Sequence, residues 1–166
     1  MPSPHTLAET EERVASLLGA LPIDFESMAV ASNLFRAANA TRNYFERSVL
    51  AEAGLSWTAF VVLWVVWIWE PVETRQIAEE GGFSKATLTG VLGTLEAKGY
   101  LLRQRSERDG RLVEVRMTDD GREFMTTIFP RFNEHERIVA STVAPERRGE
   151  LADMLRAITV VTERSS

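Results

Sequence analysis

The sequence predicts a mostly α-helical chain with a small β-hairpin wing, and three observations carry that prediction. A short helical segment, a double glycine and a capped amphipathic helix follow one another over residues 72–98. Two strand-like runs, YLLRQRS and RLVEVRMT, come directly after it and flank ERDG. Long helical patterns bracket this block on both sides and bring no sheet for their apolar faces to cover. A short helix, a tight turn and a second capped helix make a helix-turn-helix, and a hairpin directly behind it makes the winged version. The outer helices most simply bury their faces on each other and on a second copy of the chain.

Each element has a local reason. Residues 6–19 suit a short helix with Leu7, Val14, Leu17 and Leu18 on a loose apolar side, and GALPID breaks it. From 25 to 52, Met28, Ala31, Leu34, Phe35, Ala38, Phe45, Val49 and Leu50 recur near the 3.6-residue period, and Gly54 follows as a stop. Ser56 can cap residues 57–69, which are apolar on every side and are therefore expected to be buried on every side. Pro71 ends that helix, residues 72–80 read as a short helix, and Gly81-Gly82 as a tight turn. Ser84 can cap a helix over 85–98, where Leu88, Val91, Leu92 and Leu95 form one inward stripe and Gly99 closes it.

In the strand that follows, Val113, Val115 and Met117 alternate with Glu114 and Arg116, and Asp-Gly between two strand-like runs signals a hairpin. Thr118 and Asp119 can cap a helix over about 119–141, with a bend expected at Pro130. Pro145 suits the first turn of a last helix, to about 163, striped by Leu151, Met154, Leu155, Ile158 and Val161. The expected organisation is an N-terminal extension over 1–24, a helical dimerisation region from 25–56 and 119–166, and a winged helix-turn-helix lobe over 57–118.

Composition narrows the function. The chain has 166 residues and no cysteine, which excludes disulfides, thiolate metal sites and cysteine nucleophiles. The N-terminus MPSPHTLAETEERV has neither a basic nor an apolar signal region, and the apolar run over 59–69 is short of the ~18 residues a membrane span needs. A cytoplasmic protein is expected. Enzyme signals are lacking: there are two histidines, His5 and His135, EHER lacks the second His of a zinc-protease helix, and GVLG lacks phosphate-loop spacing. No cofactor is expected.

The formal charge is −5, yet residues 83–118 hold seven Lys and Arg against four Asp and Glu, a local surplus of three. A basic surplus confined to one segment is what an electrostatic footprint on nucleic acid looks like. Of the helix over 85–98, the outward residues include Ala86, Thr87, Thr89, Gly90, Gly93 and Thr94, with Lys85 at the flank. Ser84, Lys85 and Thr87 can hold phosphates and Thr89 can touch a base edge. At the hairpin tip Arg111 can enter a minor groove, Asp109 can hold its guanidinium extended, and Arg103, Arg105 and Arg108 can meet phosphates on either side. The bland readings are a solvated amphipathic helix and an ordinary charged turn.

The ordered set Leu95, Glu96, Gly99, Leu101, Arg103, Asp109, Arg111, Thr118 and Gly121 resembles the MarR family of bacterial transcription regulators: a recognition helix, LExxGxLxR, a D-x-R wing tip, then a strand ending in Thr and a following Gly. The resemblance covers roughly residues 27–163 and leaves the first 20 or so outside. It implies double-stranded DNA as partner, a homodimer built on the first and last helices, and a near-palindromic site of which each subunit reads half. The family often has Arg at the position of Gly90, and glycine there removes a side chain that could pair with guanine. The resemblance also implies effector binding between the dimer helices and the DNA-binding lobe. Trp57, Phe60 and Trp64 share one side of their helix and, with Asn33, Arg36 and His135, are candidates for such a pocket, to be weighed against plain core packing. The expected function is a dimeric repressor released from its operator by a small aromatic or phenolic effector. The runner-up is a ligand-binding or protein-interaction dimer of the same fold that has lost DNA binding.

Overall fold

The computed structural model describes residues 5–106 and 109–164. The chain divides into two compact units, Met1–Thr41 and Arg42–Ser166. In the first, α1 (Leu7–Leu18) starts at a reciprocal cap: Glu9 N–H donates to Thr6 Oγ1 at 3.2 Å and Thr6 N–H to Glu9 Oε2 at 2.7 Å. No residue of α1 is buried. The Asp24 carboxylate opens α2 (Phe25–Phe45) by accepting from the N–H groups of Glu26 and Ser27 at 3.0 and 3.1 Å.

The second unit takes up the end of α2, which passes into a π-helical turn, Glu46–Leu50. There Ser48 leaves helical dihedrals and its Oγ donates to the Tyr44 carbonyl at 2.7 Å. α3 (Trp57–Trp69) is capped by Ser56, whose Oγ accepts from Ala59 N–H at 3.2 Å. It packs on α4 (Thr74–Gly81), α5 (Lys85–Ala97), β3 (Val113–Met117) and α6 (Asp119–Ala140). That cover stops before its last turn: Phe60, Val62, Leu63 and Val66 are buried, but Ile68 and Trp69 are 49% and 63% exposed. The expectation of burial on every side therefore fails at the C-terminal end of the helix.

The segment expected to be helical from residue 72 begins instead as a strand. β1 (Val72–Glu73) pairs antiparallel with β3, so the hairpin of β2 (Leu101–Arg105) and β3 belongs to a three-stranded sheet of order β1-β3-β2. Two residues are too few for an alternating pattern to register, and α4 begins at once behind them. Beyond the two strands Ser106 N–H donates to the Leu112 carbonyl at 2.9 Å, which carries their pairing one residue further.

α6 continues through Pro130 as one helix. Its first turn docks on the end of α5. Thr118 Oγ1 accepts from Gly121 N–H at 3.0 Å and donates to the Gly99 carbonyl at 2.6 Å. A Cβ on Gly121 would sit 2.2 Å from the Tyr100 carbonyl oxygen, so only glycine permits this approach. A 3₁₀ turn, Pro145–Arg147, leads to α7 (Arg148–Arg164), which buries none of its residues. The core lies where α3 meets its neighbours, with Leu50, Leu63, Ile77, Leu92, Leu95, Val115 and Met125 fully buried. Among the described residues no helix is long and apolar enough to cross a membrane.

Candidate nucleic-acid interface

α4 and α5 meet at Gly82, whose left-handed backbone (φ 64°) turns the chain between them at no side-chain cost. Ser84 caps α5 by accepting from Thr87 N–H at 3.1 Å, and the two hydroxyls bond each other at 2.8 Å. Leu88, Leu92 and Leu95 are buried, which turns Lys85, Ala86, Thr87, Thr89, Gly90, Gly93 and Thr94 to solvent. The Thr89 hydroxyl donates to the Lys85 carbonyl at 2.8 Å, and that of Thr94 to the Gly90 carbonyl at 3.1 Å. Nothing lies within 4 Å of where a Cβ would stand on Gly90 or Gly93. The outer face of α5 is thus smooth, with the hydroxyl protons of Thr89 and Thr94 engaged on its own backbone.

The wing carries the cations. Arg111 is 90% exposed in its side chain and gripped by Asp109. Its own N–H, its Nε and its Nη2 donate to the Asp109 carboxylate at 3.0, 3.1 and 3.0 Å. A fork of this type fixes both plane and direction of the guanidinium. The Arg111 side chain first, and its backbone N–H second, hold the Asp109 carboxyl below its ordinary range. Because the folded value is lowered, the pair contributes above the ordinary carboxyl range and is lost only as pH falls through the lowered value, so acid opens the fork.

Arg103 is not free. Its Nη2 is ion-paired with Glu96 Oε2, and its N–H donates to Glu96 Oε1 at 3.1 Å, which raises the guanidinium pKa and ties β2 to the end of α5. Arg105 is exposed on the same strand, and Arg108 lies outside the described residues. Sequence reasoning passed over Glu96 as a partner and Arg75 as a cation. Arg75 stands on α4, paired with Glu79 at 2.7 Å, and borders an open cleft of about 680 Å³ with Lys85, Thr89 and Arg103. The only signal for Arg75 was its place on the first helix of the motif.

The effector candidates fall in both units. In the first, Asn33 Nδ2 donates to Glu11 Oε1 at 3.4 Å, and Arg36 borders a cavity of about 270 Å³ with Val14, Phe25 and Met28. In the second, Phe60 is buried and stacked on Phe132 at 4.2 Å, Trp57 stacks on Phe45 at 5.9 Å, and Trp64 on Phe129 at 4.7 Å. His135 Nδ1 is hydrogen-bonded to the Tyr44 hydroxyl at 2.7 Å. The aromatic side of α3 is filled by rings from α2 and α6. Among the described residues no cluster of three or more His, Cys, Asp or Glu side chains could hold a metal.

α4, the glycine turn, α5 and the β2–β3 hairpin together define a winged helix-turn-helix protein. The model of the MarR family matches residues 55–113. Over 155 residues the chain is 35% identical to the uncharacterized HTH-type transcriptional regulator YwaE of Bacillus subtilis strain 168, covering 92% of this chain and 91% of that protein. The fold is also that of the transcriptional repressor CouR, solved bound to a 23-mer DNA duplex (TM-score 0.73, 24% identity, 84% of this chain and 98% of that one). It is likewise that of Bordetella bronchiseptica BpsR, whose DNA binding is regulated by 6-hydroxynicotinic acid (TM-score 0.71, 23% identity, 78% and 92%). The chain belongs to the MarR family and is a DNA-binding transcriptional regulator, not an enzyme.

Proposed function

We propose that the chain acts as a homodimeric, cytoplasmic repressor that grips a near-palindromic duplex with two α5 helices and two wings. The observation that carries the reading is the Asp109–Arg111 fork, which aims an exposed guanidinium from a hairpin beside the capped start of α5. In this reading Arg111 enters the minor groove, Ser84, Lys85, Thr87 and Arg105 meet phosphates, and Thr89 and Gly90 face the major-groove floor. Arg103 contributes as part of the Glu96 pair. The smooth face of α5 lets the helix approach the bases closely and leaves much of the selectivity to groove shape.

Dimerisation is supported by what the chain leaves uncovered. Phe35 on α2 is 71% exposed and Val161 on α7 is 64% exposed, and Val30, Ile138, Met154 and Leu155 are exposed as well. Apolar surface on this scale marks an interface, and two copies can bury it on each other. At micromolar concentration the solution mass is expected to be twice the 18.6 kDa of one chain. That dimer should bind duplex DNA with an affinity falling steeply as salt rises. A monomer by light scattering, or no DNA binding at low salt, would remove this reading.

Release by a small aromatic or phenolic effector is supported by the regulation of BpsR by 6-hydroxynicotinic acid. An aromatic acid should quench tryptophan fluorescence, through Trp57 and Trp64, and weaken DNA binding over the same concentration range. Quenching without any change in DNA affinity would separate ligand binding from regulation, because a ligand shifts only an equilibrium whose two states it binds unequally.

A further inference from the structure

A wing tip can read a groove only if its root is fixed, and the root is held by two residues outside the interface described above. β1 and β3 are registered with Val72 opposite Val115 and Glu73 opposite Glu114. The next pairs would set Pro71 against Arg116 and Glu70 against Met117. Proline has no N–H to donate, and the ladder stops there. The backbone of Met117 is then satisfied by side chains. Glu70 Oε2 accepts from Met117 N–H at 2.8 Å, and Arg122 Nη2 donates to the Met117 carbonyl at 3.4 Å. Glu70 Oε1 and Arg122 Nη1 form the ion pair that closes the triangle, and Asp119 Oδ1 stands 4.0 Å from Arg122 Nε.

The end of α3, the end of β3 and the first turn of α6 therefore meet at one point. We propose that Glu70 and Arg122 are positioning residues for DNA binding: they fix the tilt of the wing so that Arg111 reaches its groove. This rests on the wing reading given above. The side chains of Arg122 and Glu70 are 47% and 16% exposed, so the pair stands at the edge of the core. Its effect on DNA binding is geometric. Strands of five residues at ~3.3 Å each place the tip roughly 17 Å from the root. A tilt of about 5° then moves it by roughly 1.5 Å, well beyond the ~0.5 Å within which a binding group must be held.

The test is a double-mutant cycle between root and tip, read as DNA affinity at matched salt. The probe is a duplex selected from a random-sequence library by the parent protein, and all proteins are first shown to be folded by circular dichroism. Glu70→Gln keeps an acceptor for Met117 and loses the charge. It should bind about tenfold more weakly, as should Arg111→Ala. The double variant should be no more than about twofold weaker than Glu70→Gln alone, because a misplaced tip has little left to lose. Arg122→Gln should behave as Glu70→Gln does, and it carries the test if the glutamate variant does not fold. Parental affinity in the root variants, or a double variant whose loss is the product of the two single losses, would overturn the positioning role while leaving the wing contact standing. A silent Arg111→Ala would remove the wing contact itself and the positioning role with it.

Discussion

Phe132→Ala is expected to lower the stability of the folded chain by about 3 to 5 kcal/mol, the range for removing a buried aromatic ring. Phe132 is 4% exposed. Its ring lies 4.2 Å from that of Phe60 and 4.5 Å from that of Phe45, with Trp57 and Phe129 each at 6.4 Å. It therefore joins α6 to α3 and to the end of α2. For a chain of this length each kcal/mol shifts the midpoint by roughly 2 to 4 °C, so a fall of about 10 °C is expected. Tryptophan emission should move to the red as Trp57 loses its cover. Parent and variant must be compared at equal protein concentration, because association adds to apparent stability. A midpoint within about 2 °C of the parent, at about half a kcal/mol, would mean that the ring stack contributes no cohesion.

The same stack shows where sequence reading reaches its limit. The spacing of Trp57, Phe60 and Trp64 places them on one side of a helix, but spacing is silent on what covers that side. Trp57 stacks on Phe45, and the cover of Phe60 and Trp64 comes from Phe132 and Phe129, more than sixty residues away along the chain. Local signals were legible wherever the cause is local. Ser56, Ser84 and Thr118 each cap the helix that follows, and of the stripe Leu88, Val91, Leu92 and Leu95 all are buried except Val91, which is half-buried. The motif over 95–121 located the hairpin and the Asp109–Arg111 pair, because those two residues are neighbours. β1 was illegible: two residues carry no period, and its partner lies forty residues on. Arg103 counts as a free cation in any charge tally, and only the fold brings Glu96 to it. Glu70 reads as the last polar residue before a proline, and its role at Met117 depends on a register that no local pattern states.

Arg111→Ala is expected to weaken DNA binding by about 1 to 3 kcal/mol, the size of one good groove contact. Folding should be unaffected, because a side chain 90% exposed buries almost nothing. The free protein already holds the guanidinium in a fork with Asp109, so little rotamer freedom is lost on binding and most of the contact is available as affinity. The loss should be greater on duplexes with A·T pairs under the wing, where a narrow minor groove deepens the negative potential. Lys85→Ala provides the contrast. In the proposed complex it meets phosphate from the flank of the first turn of α5, so its removal should weaken all sequences alike and reduce the salt slope by about 0.9, the release expected for one phosphate contact. Sequence-dependent loss at the wing beside sequence-independent loss at the helix would divide shape reading from phosphate holding in this interface. A variant lacking Arg111 that binds its selected duplex as tightly as the parent, at matched salt, would return residues 106–111 to the class of ordinary charged turns.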